Sequence, residues 1–195
     1  MLQGKLRTHP NFERLQHRKE GFEIMAAHVE REYSRGRDII IETGTARQFN
    51  NWEGDGQSTL IWDFFTRILT SLAVLSIDIN DEAVFNASIQ VSNKVKFCIG
   101  DSLKVLPELS DSVLARTSLL YLDSFDWTPE LQEASSEHHL KELLAVWERL
   151  PIGTLVVVDD CHSKTQGKHT AVAAFFVQQN IQPLFVGYQT GWIKR

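Results

Sequence analysis

Five runs of strand length, each almost wholly apolar and each leading into an acid, divide this sequence: 38–42 (DIIIE), 73–78 (AVLSID), 95–99 (VKFCI, with Asp101 just beyond), 118–123 (SLLYLD) and 154–160 (TLVVVDD). A strand with one wet face alternates apolar and polar residues, so runs without alternation belong to a parallel sheet covered on both sides. Candidate covers lie between them. Leu60, Ile61, Phe64, Phe65, Ile68, Leu69 and Leu72 recur with a helical period, with Ser58 or Thr59 placed to cap that helix. Leu140, Leu143, Leu144, Trp147 and Leu150 do the same later, as do Val172, Phe175 and Phe176. Strands alternating with helices imply right-handed crossovers and a doubly wound, mostly parallel α/β sheet. The final pair, 183–188 and 192–194 around Gln189, Thr190 and Gly191, reads as an antiparallel closing hairpin and brings the expected strand count to seven. Residues 1–37, with Phe22, Ile24, Met25 and Val29, read as a helical lead-in laid against the sheet, and 38–195 as the α/β domain, one globular domain in all.

Composition narrows the partners. Lys and Arg are scattered and the formal charge is −5, which argues against a nucleic-acid or membrane-surface protein and for a small-molecule partner. No apolar stretch approaches the roughly 20 residues of a membrane span, and the first residues lack the apolar centre of a secretory signal, so a cytoplasmic location is expected. The apolar N-terminal segment of a short chain fits a homodimer. Cys98 and Cys161 form neither a disulfide framework nor a CxxC metal motif.

In an open α/β sheet, ligands bind beyond the carboxyl ends of the strands. Here those ends carry Glu42, Asp78, Asp101, Asp123, Asp126, Asp159 and Asp160. Acids are common in loops as helix caps, but so many on one rim repel one another unless something cationic or rich in hydroxyls sits among them. Gly44 and Gly56 permit a backbone turn close to a ligand, and the helix beginning near Ser58 directs its positive end there. Asp78, at the tip of the second strand, is placed to accept the ribose hydroxyls of an adenosine, and Asp101 with Ser102 to flank the adenine.

These segments resemble the class I S-adenosylmethionine-dependent methyltransferases, in particular the small O-methyltransferase families of the macrocin and catechol type. The first motif reads Glu42-Thr43-Gly44-Thr45-Ala46 and resumes at Gly56-Gln57-Ser58-Thr59, with residues 47–55 standing as an insertion where the family has about one residue. "SIDIN", "CIGDSLKVLPEL", "LLYLDSFDW", "LPIGTLVVVDDCH" and "QGKHTAVAAFF" continue the likeness over 38–180. The resemblance implies a Rossmann-like seven-stranded fold and S-adenosylmethionine as cofactor, held by Glu42, Thr43, Gly44, Thr45, Gly56, Ser58, Asp78, Asp101, Ser102 and Asp123. It further implies methyl transfer to a small-molecule hydroxyl, assisted by a divalent cation such as Mg2+ on Asp123, Asp159 and Asp160, whose oxygen-only ligand set suits a hard ion. The family position filled by His or Lys falls here on Asp126, so Asp126 and His162 are the expected proton acceptors. His138, His139 and His169 are expected on helix surfaces. Trp52 in the insertion either stacks on a substrate or pins the loop to the body.

Other chemistries fit less well. A nicotinamide oxidoreductase would share the glycine turn and Asp78, but no Tyr-x-x-x-Lys pair is present; an α/β-hydrolase lacks its Gly-x-Ser-x-Gly, and a P-loop kinase its Gly-Lys-Ser/Thr. A non-catalytic adenosine-binding module of the same fold remains the alternative.

Overall fold

The computed structural model describes residues 1–54 and 57–195. In chain order the elements are α1 (Leu2–Leu6), a 3-10 helix (Phe12–Arg18), α2 (Lys19–Tyr33), β1 (Ile39–Thr43), α3 (Ser58–Ile68), β2 (Ala73–Asp78), α4 (Asp81–Ser88), β3 (Val95–Ile99), α5 (Ser102–Glu108), α6 (Asp111–Leu114), β4 (Thr117–Leu122), α7 (Gln132–Val146), β5 (Leu155–Val158), α8 (Thr170–Gln178) and β6 (Thr190–Ile193). They form one sheet in the order β3-β2-β1-β4-β5-β6, parallel except for β6, which runs antiparallel to β5.

Both faces of the central strands are apolar, for the reason the unbroken runs implied. Along β1, β4 and β5 the side chains divide strictly by parity: Ile40, Leu119, Tyr121, Leu155 and Val157 join Phe22, Met25, Val29, Trp62 and Phe65 of α2 and α3 on one face. Ile39, Ile41, Leu120, Leu122, Val156 and Val158 join Leu106, Leu143, Val146, Val172 and Phe176 of α5, α7 and α8 on the other. Two helical layers therefore clamp the sheet.

Six strands form among the described residues, where seven were expected. The stretch 183–188 contributes only a single bridge, Phe185 to Gly191. Pro183 has no N–H to give a ladder, and Leu184 and Val186 stay exposed, so an added strand there would bury little. The segment turns away and lays Tyr188 against Arg18, whose guanidinium carbon lies 4.6 Å from the ring centroid. The N-terminal segment is likewise not one helix. Gln16, at φ 48° and ψ −114°, kinks the chain within the 3-10 stretch ahead of α2, and Arg18 just beyond it reaches Asp159 at the carboxyl end of β5. Among the described residues no helix is long and apolar enough to cross a membrane.

Candidate functional site

Strand order reverses between β1 and β4, and at such a switch point the connections on either side lead away and leave a crevice. The ladder carries the turns with it: Gly44 N–H donates to Ile77 O at 2.8 Å, Asp123 N–H to Thr43 O at 2.9 Å and Asp159 N–H to Leu122 O at 3.2 Å. The row of acids is thus fixed by strand register. Gly44 sits at φ +82°, and a Cβ there would run into the backbone carbonyl of Asp123, so this turn admits only glycine.

Two cavities adjoin at this crevice and share Asp78 and Ser124. The larger, about 340 Å3, is lined by Asp78, Ile79, Asp101, Ser102, Phe125 and His138, among others. The smaller and more polar one lies between Gly44, Thr45 and Ser58 on one side and Arg18, Asp123 and Asp160 on the other. Asp78 is oriented by two backbone donors, Thr45 N–H at 2.9 Å and Asn80 N–H at 2.8 Å. Asp101 caps α5 by accepting from Leu103 N–H, and Ser102 Oγ lies 3.3 Å from His138 Nε2. Behind them Glu142 is fully buried and accepts from Ser124 Oγ at 2.6 Å and Thr43 Oγ1 at 3.2 Å. Burial alone would raise its carboxyl, but hydrogen bonds from His138, Ser102 and Ser124, with His139 adjacent, hold it below the ordinary value. An acid, exposed apolar Ile79 and an aromatic ring around a cavity of this size fit a nucleoside.

Glu42 lines neither cavity. It is wholly buried beneath the turn and accepts from Ser58 Oγ, Thr59 Oγ1, Trp62 Nε1 and Ser76 Oγ. Burial pushes its carboxyl up to about 7 against the pull of those four donors. Its part is to tie the start of α3 to β1 and β2. Ser58 and Thr59 are consequently not caps: the N-cap is Gln57, in the left-handed region at φ 50°, and no side chain caps the helix. Thr59 Oγ1 instead also meets Thr45 Oγ1 and takes the Ala46 N–H. Gly56 and Asp55 lie outside the described residues.

The insertion is held against the body. Trp52 is buried in the core beside His9, and Arg14 forks onto Glu53 at 2.7 and 2.9 Å and onto Asn50. Trp52 therefore pins the loop and does not face a ligand. Arg47 leaves the loop to grip Asp126, at 2.8 Å on Oδ2. That bond holds the Asp126 carboxyl below its usual range and makes it a poor proton acceptor. His162 lies elsewhere, its ring 4.2 Å from Trp127 in a third cavity with His17, His169 and Tyr188. Asp126 and His162 are not brought together, and neither lines the two adjoining cavities. His139 and His169 are buried rather than on helix surfaces; the His139 imidazole falls to about 4 by burial and bonds the Ser135 carbonyl. His138 faces the larger cavity.

Asp123, Asp159 and Asp160 do converge, at the ends of β4 and β5, but with cations among them. Lys168, with no exposed surface, bonds Asp123 Oδ1 and lies 2.9 Å from Asp160 Oδ2. Buried Arg18 reaches Asp159 at 2.8 and 3.2 Å and Asp160 Oδ1 at 3.1 Å. Burial pushes Asp159 and Asp123 upward while the cations oppose it; Asp160, despite burial, is drawn down to about 2 by Lys168 and Arg18. Among the described residues no group of His, Cys, Asp or Glu is arranged to hold a metal ion. The carboxylates implied as metal ligands do not fit that role, because their oxygens already serve two fixed charges. Neither cation was singled out in the sequence. The available signal was Lys168 itself, a lysine just before the N-terminus of α8, where the helix dipole disfavours positive charge unless acids offset it.

No protein-family model and no curated protein matches the chain by sequence. Solved structures match its fold. The O-methyltransferase NovP is similar at a TM-score of 0.61 with 14% identity, over 99% of this chain and 94% of that one. CalS11, a TDP-rhamnose 3'-O-methyltransferase of calicheamicin biosynthesis, gives 0.59 at 14% identity over 97% and 86%. The MycE methyltransferase of the mycinamycin pathway, solved in complex with Mg and SAH, gives 0.55 at 14% identity. That match takes in 87% of this chain, which spans about half, 49%, of MycE. At these identities the likeness establishes the architecture: this chain has the α/β fold seen in class I methyltransferases.

Proposed function

We propose that the chain transfers a methyl group from S-adenosylmethionine to a hydroxyl of a small molecule. The observation that carries this reading is the pair of adjoining cavities at the strand-order switch, joined by Asp78 and Ser124. In the larger one Asp78, held by the Thr45 and Asn80 N–H groups, accepts the ribose hydroxyls; Asp101, Ser102 and His138 edge the adenine, with Ile79 and Phe125 against it. The smaller one takes the amino-acid end of the cofactor, against Gly44, Thr45 and the uncapped start of α3. Thr43 and Glu42 act behind this wall by fixing the turn. The fold's occurrence in NovP, CalS11 and MycE supports the same reading.

When bound, this cofactor supplies an electrophilic methyl on a sulfonium, which carries its own leaving group. The protein's work is then positioning and exclusion of water. Asp123 and Asp160 line the small cavity, where Lys168 and Arg18 offset their charge. Arg47, which bonds Asp126, lines one side of it. His162, in a separate cavity beside Tyr188, stands apart from this site, so the geometry assigns it no part in taking the hydroxyl's proton.

Calorimetric titration with S-adenosylhomocysteine, with NADH in parallel, tests the reading. Micromolar binding of the former alone is expected; binding of NADH instead, or of neither, would overturn it.

A further inference from the structure

Three carboxylates brought to one buried corner need compensating charge, and a fold can supply it with a bound cation or with its own side chains. This chain uses its own. Lys168 stands between Asp123 and Asp160, and Arg18 between Asp159 and Asp160, so that both oxygens of Asp159 and both of Asp160 carry a charged donor. Lys168 also takes Asp123 Oδ1. The arrangement is locked from outside. Tyr188 covers Arg18 with its ring, and the neighbouring Tyr121 hydroxyl accepts from Gln189 Nε2 at 2.7 Å. The backbone cooperates: Asp160 sits at φ +51°, and its carbonyl takes the Lys168 N–H at 3.3 Å, tying the two residues together across the intervening loop.

We infer that Lys168 and Arg18 occupy the place of a divalent cation, so that this acidic cluster is complete without a metal and the site works as a metal-independent one. A hard ion such as Mg2+ asks for near-octahedral oxygen ligands. To enter, it would have to take Asp123 and Asp160 from Lys168, leaving an ammonium without exposed surface and without its carboxylates. Taken with the function proposed above, on which this part rests, the consequence reaches the acceptor. Without a metal to chelate two neighbouring oxygens, a lone hydroxyl is as good an acceptor as a vicinal diol. Lys168 and Arg18 act as positioning residues through the three aspartates.

The test reads free Mn2+ by electron paramagnetic resonance as the full chain is added, for wild type, Lys168→Met and Lys168→Arg. Wild type and Lys168→Arg are expected to leave Mn2+ free into the millimolar range. Lys168→Met is expected to gain stoichiometric uptake that Mg2+ competes away and that Asp160→Asn, added to it, abolishes. Micromolar uptake by wild type would overturn the inference, and so would a folded Lys168→Met protein that takes up none. Should Lys168→Met not fold, the wild-type titration decides alone. S-adenosylhomocysteine affinity, measured in chelator and in excess Mg2+, is expected to agree within twofold, and a tenfold dependence on Mg2+ would count against the inference. Complete loss of nucleoside binding in both would remove the methyltransferase reading while leaving the Mn2+ result to stand by itself.

Discussion

The indole Nε1 of Trp62 donates to Glu42 Oε1 over 2.8 Å, in a corner where Glu42 has no contact with solvent. Burial raises this carboxyl from the ordinary 4.5 to about 7. Below the unfolded value both states carry the proton and the folded state loses nothing. As pH rises from about 4.5 to about 7 the unfolded chain releases its proton first, so stability drains away over that window, by about 3 kcal/mol from this group. Urea denaturation of wild type and Glu42→Gln at pH 5 and pH 8 checks this. The wild-type loss should exceed that of the variant; equal pH dependence in the two would count against a proton on Glu42.

Asp78 should matter to the ligand more than to the fold. Its carboxylate accepts two backbone N–H groups at a turn, yet it remains partly open to both cavities. A charged hydrogen bond to a ribose contributes about 1.5–3 kcal/mol. Asp78→Ala is therefore expected to weaken S-adenosylhomocysteine binding by about tenfold to a hundredfold. An unchanged calorimetric affinity would place the ribose elsewhere.

Trp52 has 4% of its surface exposed and packs with His9 in the core. Trp52→Ala is expected to cost about 3–5 kcal/mol of stability, the range for deleting a buried large aromatic. A loss below about 1 kcal/mol in chemical denaturation, the size of an ordinary surface change, would mean the loop is not pinned by this ring.

The Arg18–Asp159 pair predicts an asymmetry. Asp159→Ala leaves a buried guanidinium without its main partner and should cost about 3–5 kcal/mol, whereas the joint change Arg18→Met with Asp159→Leu should recover much of that loss. Additive losses in thermal denaturation of the single and joint variants would show the pair to be uncoupled.

The strands were legible because burial on both faces leaves an unbroken apolar run, and the rim acids because strand ends are readable from the same runs. Asp78, Asp101, Ser102 and Gly44 accordingly lie where the sequence put them, at one crevice. What was not legible depends on partners distant in the chain. Nothing near Glu42 in sequence tells that four donors from α3 and β2 close over it, or near His139 that α7 turns it inward. The expected seventh strand failed because an apolar run next to Pro183 says nothing about whether a neighbour is available to pair with it. Asp123, Asp159 and Asp160 were read as ligands for an outside ion because Arg18 and Lys168 each stand apart from them in sequence.

Arg18 and Asp159 are 141 residues apart. Closing so long a loop is among the slowest kinds of contact a folding chain makes, because its entropy must be met before the contact returns anything. The corner where β4 and β5 end is therefore assembled only when the first turn of the chain and the last third have both arrived. A chain still emerging during synthesis carries Arg18 without its acids, a fragment starting at residue 38 carries the acids without Arg18, and competence at this corner marks the completion of folding.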